Sequence, residues 1–168
     1  MNYLIYDAAI NGPYTLMILQ KYYPVHESLF KNTKDEQLYD VGPWLFEIDD
    51  QLKKNIANEL LISLQSTLLI QSKEKFNLVG DHCRKFIYQT INDREYFFRF
   101  WDARVIKKFL PDCDKKQITD FFGPIDHFIF ESDIPDEAIK FWQVNGVLKQ
   151  EKIASDPVFS KNQILQNN

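Results

Sequence analysis

The sequence predicts an α/β (α+β) protein in which a mixed β-sheet is flanked by helices and is followed by a small antiparallel C-terminal meander. Short apolar runs bounded by turn residues alternate with stretches whose apolar residues recur at helical spacing. The last third holds three strand-like runs, two of them joined by the hairpin pair Asn145-Gly146. Hydrophobic residues make up 45% of the chain and charged residues 26%, which are the proportions of a globular protein.

The first 30 residues predict a β–α–β unit. An apolar run at 3–10 ends at Asn11-Gly12-Pro13, which is typical of a buried strand followed by a turn and a helix. The helix is expected over 13–23 and a second strand over 25–30. The predicted inner face of the helix comprises Tyr14, Met17, Ile18 and Tyr22.

The middle of the chain alternates between extended and helical patterns. Residues 38–48 predict extended chain interrupted at Gly42-Pro43, because proline cannot donate to a sheet ladder. A helix is expected over 50–63, a strand over 67–72, and then a long helix capped by Ser72. The apolar stripe of the long helix comprises Phe76, Val79, Cys83, Phe86, Ile87 and Thr90.

An aromatic run follows the turn at Asn92-Asp93, and it contains an arginine. Residues 96–102 predict a strand with rings on both faces, which suggests a central position in the sheet and places Arg99 beside Phe97 and Trp101. The next helix is expected from Ala103 to Pro111.

A further helix, capped by Asp114, is expected to end at Phe122, before Gly123-Pro124. Three strands within 127–132, 138–144 and 147–153 then form the meander. We therefore expect one domain over 1–153 and a polar tail or short helix over 154–168.

The composition excludes several classes of function. A net charge of −4 shows no overall basic character of the kind that nucleic-acid or anionic-membrane binding requires. No apolar run is long enough to span a bilayer, and the first residues lack the features of a signal peptide, so we expect a cytoplasmic protein. Cys83 and Cys113 are isolated and predict reduced thiols rather than a metal site.

Arg99 needs a partner, because a guanidinium placed among rings is costly when it is unpaired. Asp102 follows it and is a suitable cap for the helix that carries Arg104. The cluster predicts a buried ion-pair and capping network, with Asp7 or Asp40 as the carboxylate partner of Arg99. The alternative is a pocket for an anion or a peptide carboxylate.

Other candidate sites have weaker patterns. His26, His82 and His127 are scattered, and no metal-binding or nucleotide-binding motif occurs. Cys83 lies on the apolar stripe of its helix and is interpreted as a core residue. The basic residues of 104–116 predict a solvated face or a surface for an acidic partner: Arg104, Lys107, Lys108, Lys115 and Lys116. Trp44, Trp101 and Trp142 fit either a core or an interface.

Four segments together carry a family resemblance. They are "YLIYDAAI" at 3–10, "YDVGPWLFEI" at 39–48, "YFFRFWDARVIKKFL" at 96–110 and "ITDFFGPI" at 118–125. In this order they resemble the domain of type VI secretion effector adaptors, also described as effector chaperones and long filed as a domain of unknown function. The likeness covers residues 3 to about 130.

The resemblance implies a non-enzymatic bacterial protein that binds one effector and helps load it onto the spike, which is the VgrG trimer or its PAAR tip. From the charge, the lack of a long apolar run and the lack of metal or nucleotide motifs, we expect no cofactor or metal, no nucleic-acid partner and no membrane insertion. The signature residues, whose role the resemblance implies to be mainly structural, are Asp7, Asp40, Gly42, Pro43, Trp44, Arg99, Asp102, Arg104, Gly123 and Pro124. The chain departs from the family in having only a meander and a short tail where a helical C-terminal lobe is common.

An acidic, ring-rich chain without a catalytic motif fits a protein-binding module. Candidate partner-binding residues are Trp101, Lys107, Lys108 and Trp142. Two alternatives stay open: an immunity-type protein that binds a toxin, and a small enzyme that acts on an anionic substrate through Arg99, Asp102 and Arg104.

Overall fold

The fold of the computed structural model centres on a seven-stranded sheet. The structure describes residues 1–49, 52, 64, 66–134 and 137–154. The strands of this sheet are β1 (Asn2–Asp7), β2 (His26–Ser28), β3 (Pro43–Ile48), β4 (Leu68–Ser72), β7 (Ile125–Glu131), β8 (Glu137–Val144) and β9 (Val147–Ala154). Their order across the sheet is β2-β3-β1-β4-β7-β8-β9. A separate hairpin pairs β5 (Tyr88–Ile91) with β6 (Arg94–Phe97).

Four α-helices lie among the described residues. They are α1 (Ala8–Tyr22), α2 (Phe76–Ile87), α3 (Ala103–Asp112) and α4 (Lys115–Phe122). A 3₁₀ helix covers Glu36–Val41. Within the described ranges, no helix has both the length and the apolar character needed to cross a membrane.

The predicted α/β class is confirmed, and the pairing of its sheet is antiparallel in each pair of described strands rather than mixed. β1 and β2 run in the same direction, as the β–α–β unit predicts, but β3 lies between them and is antiparallel to both. The predicted meander β7-β8-β9 is confirmed. It continues the main sheet through the pairing of β4 with β7 and is not a separate part.

The core has two layers, one on each face of β1. Tyr3 and Ile5 lie in the larger cluster, beneath α2, α3 and α4, whereas Leu4 and Tyr6 lie in the smaller cluster beneath α1. Alternate side chains of a strand point to opposite faces, so this central strand is buried on both sides. Each such side chain contributes about 2 kcal/mol through removal of apolar surface from water.

The first helix differs from its prediction in start and phase. It begins at Ala8, because the Asp7 side chain accepts a hydrogen bond from the Ala9 amide, and it is kinked at Gly12, whose φ is 79°. The predicted inner-face residues Tyr14 and Met17 are exposed, while Leu16 and Leu19 are buried. Apolar residues occur all around this helix, so their spacing does not select a face. Ile18 and Tyr22 are half-buried against the smaller cluster.

Two other boundaries were predicted wrongly. Residues 36–41 form the 3₁₀ helix, and extended chain begins only at Pro43, where a missing N–H is tolerated because the strand starts there. The long helix predicted from Ser72 covers only Phe76–Ile87, since the chain then enters β5 and reverses at Asn92-Asp93, both with positive φ. Val79, Cys83 and Ile87 are buried as predicted, and Phe76 and Phe86 are partly buried against the core. The prediction for Thr90 was wrong, because this residue lies beyond the helix in β5 and is exposed.

Several elements are confirmed, namely β4, α3, α4 with its Asp114–Gln117 capping box, and the turn at Asn145-Gly146. The helix predicted over 50–63 lies outside the described residues apart from Leu52, which is buried. The predicted tail lies outside them from residue 155 onward, so the boundary at 153/154 stays a prediction.

Candidate functional site

Arg99 lies in an irregular segment between β6 and α3, not in a central strand. The strand ends at Phe97, and the buried residues Phe100 and Trp101 lie in the turn that follows it. The Asp102 amide donates to the Arg99 carbonyl at 3.0 Å, which folds the segment into a turn. The prediction of a central strand was wrong, because the chain leaves the hairpin here to reach α3.

The carboxylate partner of Arg99 is Asp7, one of the two predicted candidates. Arg99 Nη2 donates to Asp7 Oδ2, and Trp101 Nε1 donates to the same oxygen at 2.8 Å. Asp7 Oδ1 accepts from the Ala9 amide at 3.1 Å. The Asp7 carboxylate is thus buried, with a residue exposure of 2%, and is satisfied by three donors. The other candidate, Asp40, is exposed in the 3₁₀ helix.

Asp102 caps α3, as predicted. Its Oδ1 accepts from the Arg104 amide at 2.9 Å, and the Arg104 guanidinium donates to both carboxylate oxygens through Nε at 3.0 Å and Nη2 at 2.7 Å. These hydrogen bonds lower the pKa of Asp102 below its ordinary value, despite burial. Arg104 itself is exposed, so it shields the buried carboxylate from the outer side.

The signature residues Gly42, Pro43 and Trp44 join the 3₁₀ helix to β3. A Cβ on Gly42 would lie 2.5 Å from Phe30 Cδ2, so only glycine permits this approach. The Gly42 carbonyl accepts from the Ala8 amide at 3.2 Å, and Trp44 Nε1 donates to the Tyr39 carbonyl at 2.7 Å. These contacts hold the 3₁₀ helix beside the start of α1.

Gly123 and Pro124 join α4 to β7 at a second close approach. Gly123 has a φ of 47°, and a Cβ there would overlap the ring of His82. Ser72 Oγ donates to the Pro124 carbonyl at 2.6 Å. His82 Nε2 donates to the Phe121 carbonyl at 2.8 Å, and burial lowers the pKa of this histidine. The hydrogen bond between His82 and Phe121 connects α2 to α4.

Asp7, Arg99, Trp101, Asp102 and Arg104 form what we call the Arg99 cluster. An open pocket of about 380 Å³, the Arg99 pocket, lies beside it. Asp7, Arg99 and Trp101 line the pocket together with residues of three other segments. Those residues are Ala9, Phe30, Lys34, Asp35, Leu38, Val41, Pro43, Tyr88 and Phe97. The pocket therefore combines an apolar lining with a few charged groups, namely the Asp7–Arg99 ion pair, Lys34 and Asp35, as is usual for binding sites.

The residues that connect the two walls of this pocket were not predicted from the sequence. Tyr88 Oη donates to Asp35 Oδ2 at 2.6 Å, and Lys34 forms an ion pair with Glu95 and lies 4.7 Å from the Tyr88 ring. Burial, followed by the Asp35 contact, raises the pKa of Tyr88. The only sequence signal was the polar run at 31–37, which reads as an ordinary turn.

Apolar side chains at the rim of the pocket are exposed. Leu38 is 50% exposed, and Val41 and Phe97 are exposed to a similar extent. Further exposed apolar residues occur on the same elements, at Tyr39 in the 3₁₀ helix and Tyr96 in β6. No residue of the 3₁₀ helix is buried. Exposed apolar residues grouped around a pocket are typical of a protein-binding surface.

The predicted partner-binding residues have different surroundings. Trp101 is only 2% exposed, because its ring packs against Phe97 and Phe100, and it lines the pocket. Its contact with a partner stays a prediction. Lys107 pairs with Asp133 at 3.0 Å and is mostly covered, while Lys108 is exposed. Trp142 is half-buried on β8, with Lys140 Nζ 5.8 Å from its ring.

The chemistry predicted for the cysteines agrees with their positions. Cys83 is buried in the core, and burial raises the pKa of its thiol to about 12. Cys113 is half-buried, and burial raises its pKa as well. Both thiols are free in the structure. Thiols with raised pKa values are poor nucleophiles at neutral pH.

A comparison with protein families gives one match, described as "Domain of unknown function (DUF4123)", over residues 2–120. No curated protein and no solved structure shows a significant match to the chain. The matched range contains the whole Arg99 cluster and every residue that lines the pocket. Because the family model covers more than half of the chain, the protein belongs to this family of unknown function, which is associated with type VI secretion.

Proposed function

We propose that this protein is a cytoplasmic, non-enzymatic adaptor that binds one type VI secretion effector and loads it onto the VgrG/PAAR spike. The observation that carries the proposal is the group of exposed apolar residues around the Arg99 pocket, within the segment that matches the family. Such a surface gains free energy when a partner covers it. Its position beside the signature residues supports a role in binding the cargo.

The contacts of the Arg99 cluster support a structural role for the signature residues over a catalytic one. Both oxygens of Asp7 and both oxygens of Asp102 accept hydrogen bonds from the protein itself. Among the described residues, no buried side-chain nitrogen or oxygen lacks a partner. A general base or nucleophile needs a polar atom that is available to the substrate, so these contacts favour the adaptor over the enzyme.

The test is co-purification of the tagged full-length chain from its native cells, followed by truncation of the toxin that is recovered. The adaptor predicts capture through the spike-proximal region of the toxin, in a ternary complex with the spike. Capture through the toxic domain alone would indicate an immunity protein. Failure to capture any protein partner would contradict both binding functions.

A matched pair of variants localises the binding surface. Leu38→Asp places a charge on the rim of the pocket, whereas Leu78→Asp places the same charge on α2 at an equally exposed leucine. Their exposures are 50% and 53%, so neither substitution disturbs a core. We expect Leu38→Asp to weaken cargo capture at least about tenfold, since a buried charge without a partner is costly at an interface, and Leu78→Asp to leave it unchanged. Equal effects would contradict the assignment.

A further inference from the structure

The Arg99 guanidinium is only partly used by the fold. Among the described residues, its hydrogen bonding is confined to Nη2 and Asp7 Oδ2. A guanidinium has five N–H donors in a planar fork. The Arg99 side chain is 36% exposed and lines the pocket, so donors remain accessible from that side. Asp7 orients the guanidinium, and the remaining donors match a carboxylate acceptor.

A second cation lies at the same pocket. Lys34 is exposed, and its ammonium forms an ion pair with Glu95, which is also exposed. An ion pair between exposed side chains contributes little to stability, so Lys34 can turn to another anion at low cost. The nearby Asp35 carboxylate accepts a hydrogen bond from Tyr88 at 2.6 Å, and both residues line the pocket. The two cations therefore differ, since Arg99 is held by the buried Asp7 carboxylate whereas Lys34 is paired with an exposed carboxylate.

Apolar residues lie on both sides of these cations. Leu38 and Val41 form one wall of the pocket and Phe97 the other, and all three are exposed. The pocket is open to solvent, so a bound chain does not have to end inside it. This arrangement fits an internal segment of a polypeptide better than a chain end, because apolar contacts are available before and after the charged position.

We propose that the Arg99 pocket binds an acidic side chain of the cargo, presented by an internal segment in which apolar residues flank it. The acidic side chain accepts hydrogen bonds from Arg99 and pairs with Lys34, while its apolar neighbours cover Leu38 and Phe97. The proposal rests on the adaptor function and adds the chemistry by which the cargo is recognised.

The experiment uses the full-length ¹⁵N-labelled protein and two tripeptide probes. Acetyl-leucyl-glutamyl-leucine amide carries the carboxylate, and acetyl-leucyl-glutaminyl-leucine amide has the same shape without the charge. The probes are titrated to about 10 mM at low salt while the Trp101 Nε1–H resonance is followed, because this group lies next to Arg99 on Asp7. We expect the glutamyl probe to shift this resonance and to bind at least about fivefold more tightly than the glutaminyl probe.

Two variants at the rim provide the control. Lys34→Ala removes the cation, whereas Glu95→Gln breaks the same ion pair but keeps the cation. We expect Lys34→Ala to weaken binding of the glutamyl probe about threefold or more, and Glu95→Gln to leave it equal or tighter. If both variants weaken binding of the glutamyl probe equally, the Lys34–Glu95 pair acts only by holding the pocket wall in place, and the proposal is wrong.

Other results also decide the question. Equal binding of the two tripeptide amides, or no shift at Trp101 with either, would overturn the proposal. A third probe, acetyl-leucyl-glutaminyl-leucine with a free terminal carboxylate, separates the two sources of a carboxylate. If it binds more tightly than the glutamyl amide, the site accepts a chain end and the internal segment is wrong. Cargo capture without probe binding would overturn only this inference, whereas probe binding without cargo capture would overturn the adaptor function.

Discussion

At the scale of single residues, the Arg99–Asp7 pair determines how three segments meet. Asp7 ends β1, caps α1 and holds Arg99 and Trp101 from the segment after β6. A buried carboxylate is tolerated because three donors satisfy it. One aspartate therefore connects the central strand, the first helix and the floor of the pocket.

Removal of Arg99 should cost stability. Arg99→Ala leaves the Asp7 carboxylate buried with two donors instead of three, and we expect the free energy of unfolding to fall by about 2 kcal/mol. This is less than for a fully buried pair, because Arg99 is partly solvated. Urea denaturation measures the change.

The double variant with Asp7→Asn serves as the control for the Arg99 prediction. The sum of the losses in unfolding free energy of the two single variants should exceed the loss in the double variant. The reason is that the double variant lacks the Asp7 charge that Arg99 compensates. Additive losses, or an Arg99→Ala protein as stable as the parent, would contradict the structural role of the pair.

At the scale of elements, close backbone approaches fix how helices join the sheet. The turn after α4 brings Gly123 against His82 of α2, and the Gly42 turn brings the 3₁₀ helix against Phe30. Both glycines occur in the signature segments, and each is required by space or by a positive φ rather than by chemistry. This supports the interpretation that the family signature is mainly architectural.

Alanine substitutions at two glycines with positive φ distinguish the cost of backbone strain from the cost of steric overlap. Gly123→Ala adds both a left-handed alanine and a clash with the His82 ring, so we expect a loss of about 2–4 kcal/mol. Gly12→Ala adds only the strain, since no atom lies within 4 Å of its Cβ position, and should lose about 1 kcal/mol. Thermal or urea unfolding of both variants gives the comparison. Similar losses would show that the His82 ring moves aside freely.

The His82 contact between α2 and α4 should also make stability depend on pH. Burial lowers the pKa of His82 in the folded state, with Lys85 adding to the effect, so the unfolded chain takes up a proton first. The contribution of His82 to the free energy of unfolding is fully present above pH about 6.5, the pKa of a histidine in the unfolded chain. It is lost as the pH falls below this value, at up to about 1.4 kcal/mol per pH unit. Denaturation between pH 7.5 and 5.5 measures this slope.

His82→Gln is the comparison for the pH dependence, because it removes the titrating group. Burial and then Lys140 also lower the pKa of His127, so the parent slope contains two contributions and the variant should retain only one of them. If the slope of unfolding free energy against pH is the same in the variant as in the parent, His82 does not cause the pH dependence.

At the scale of the whole molecule, stability is distributed unevenly between the two sheets. β1 pairs on both sides and is buried on both faces, whereas all four residues of β6 are exposed. The hairpin β5–β6 forms one wall of the pocket through Tyr88 and Phe97. The proposed binding surface is therefore built partly on the less protected element, as is common for surfaces that adapt to a partner.

Native-state hydrogen exchange tests this distribution. We expect the amides of Leu4 and Ile5 to exchange only through global unfolding, and those of Gln89 and Tyr96 to exchange at least about a hundredfold faster. Bound cargo should slow exchange in the hairpin and leave β1 unchanged. Equal protection of the two sheets in the free protein would contradict the distribution.

The elements whose signals are local were predictable from the amino-acid sequence alone. The hairpin at Asn145-Gly146, the caps Asp102 and Asp114, and the buried stripe of α2 depend on residues a few positions apart, and the structure has each of them. The pairing of Arg99 with an aspartate was also predictable, because a cation among rings requires a partner.

Which faces are covered and which distant residues come into contact depended on how the elements pack in three dimensions. The apolar residues of α1 surround the helix, so packing against β1 and β3, and not periodicity, buried Leu16 and left Met17 exposed. The pocket joins Asp7, Lys34 and Arg99, which are far apart in the chain and have no common pattern. Local propensity cannot report such contacts, since they depend on how the elements pack.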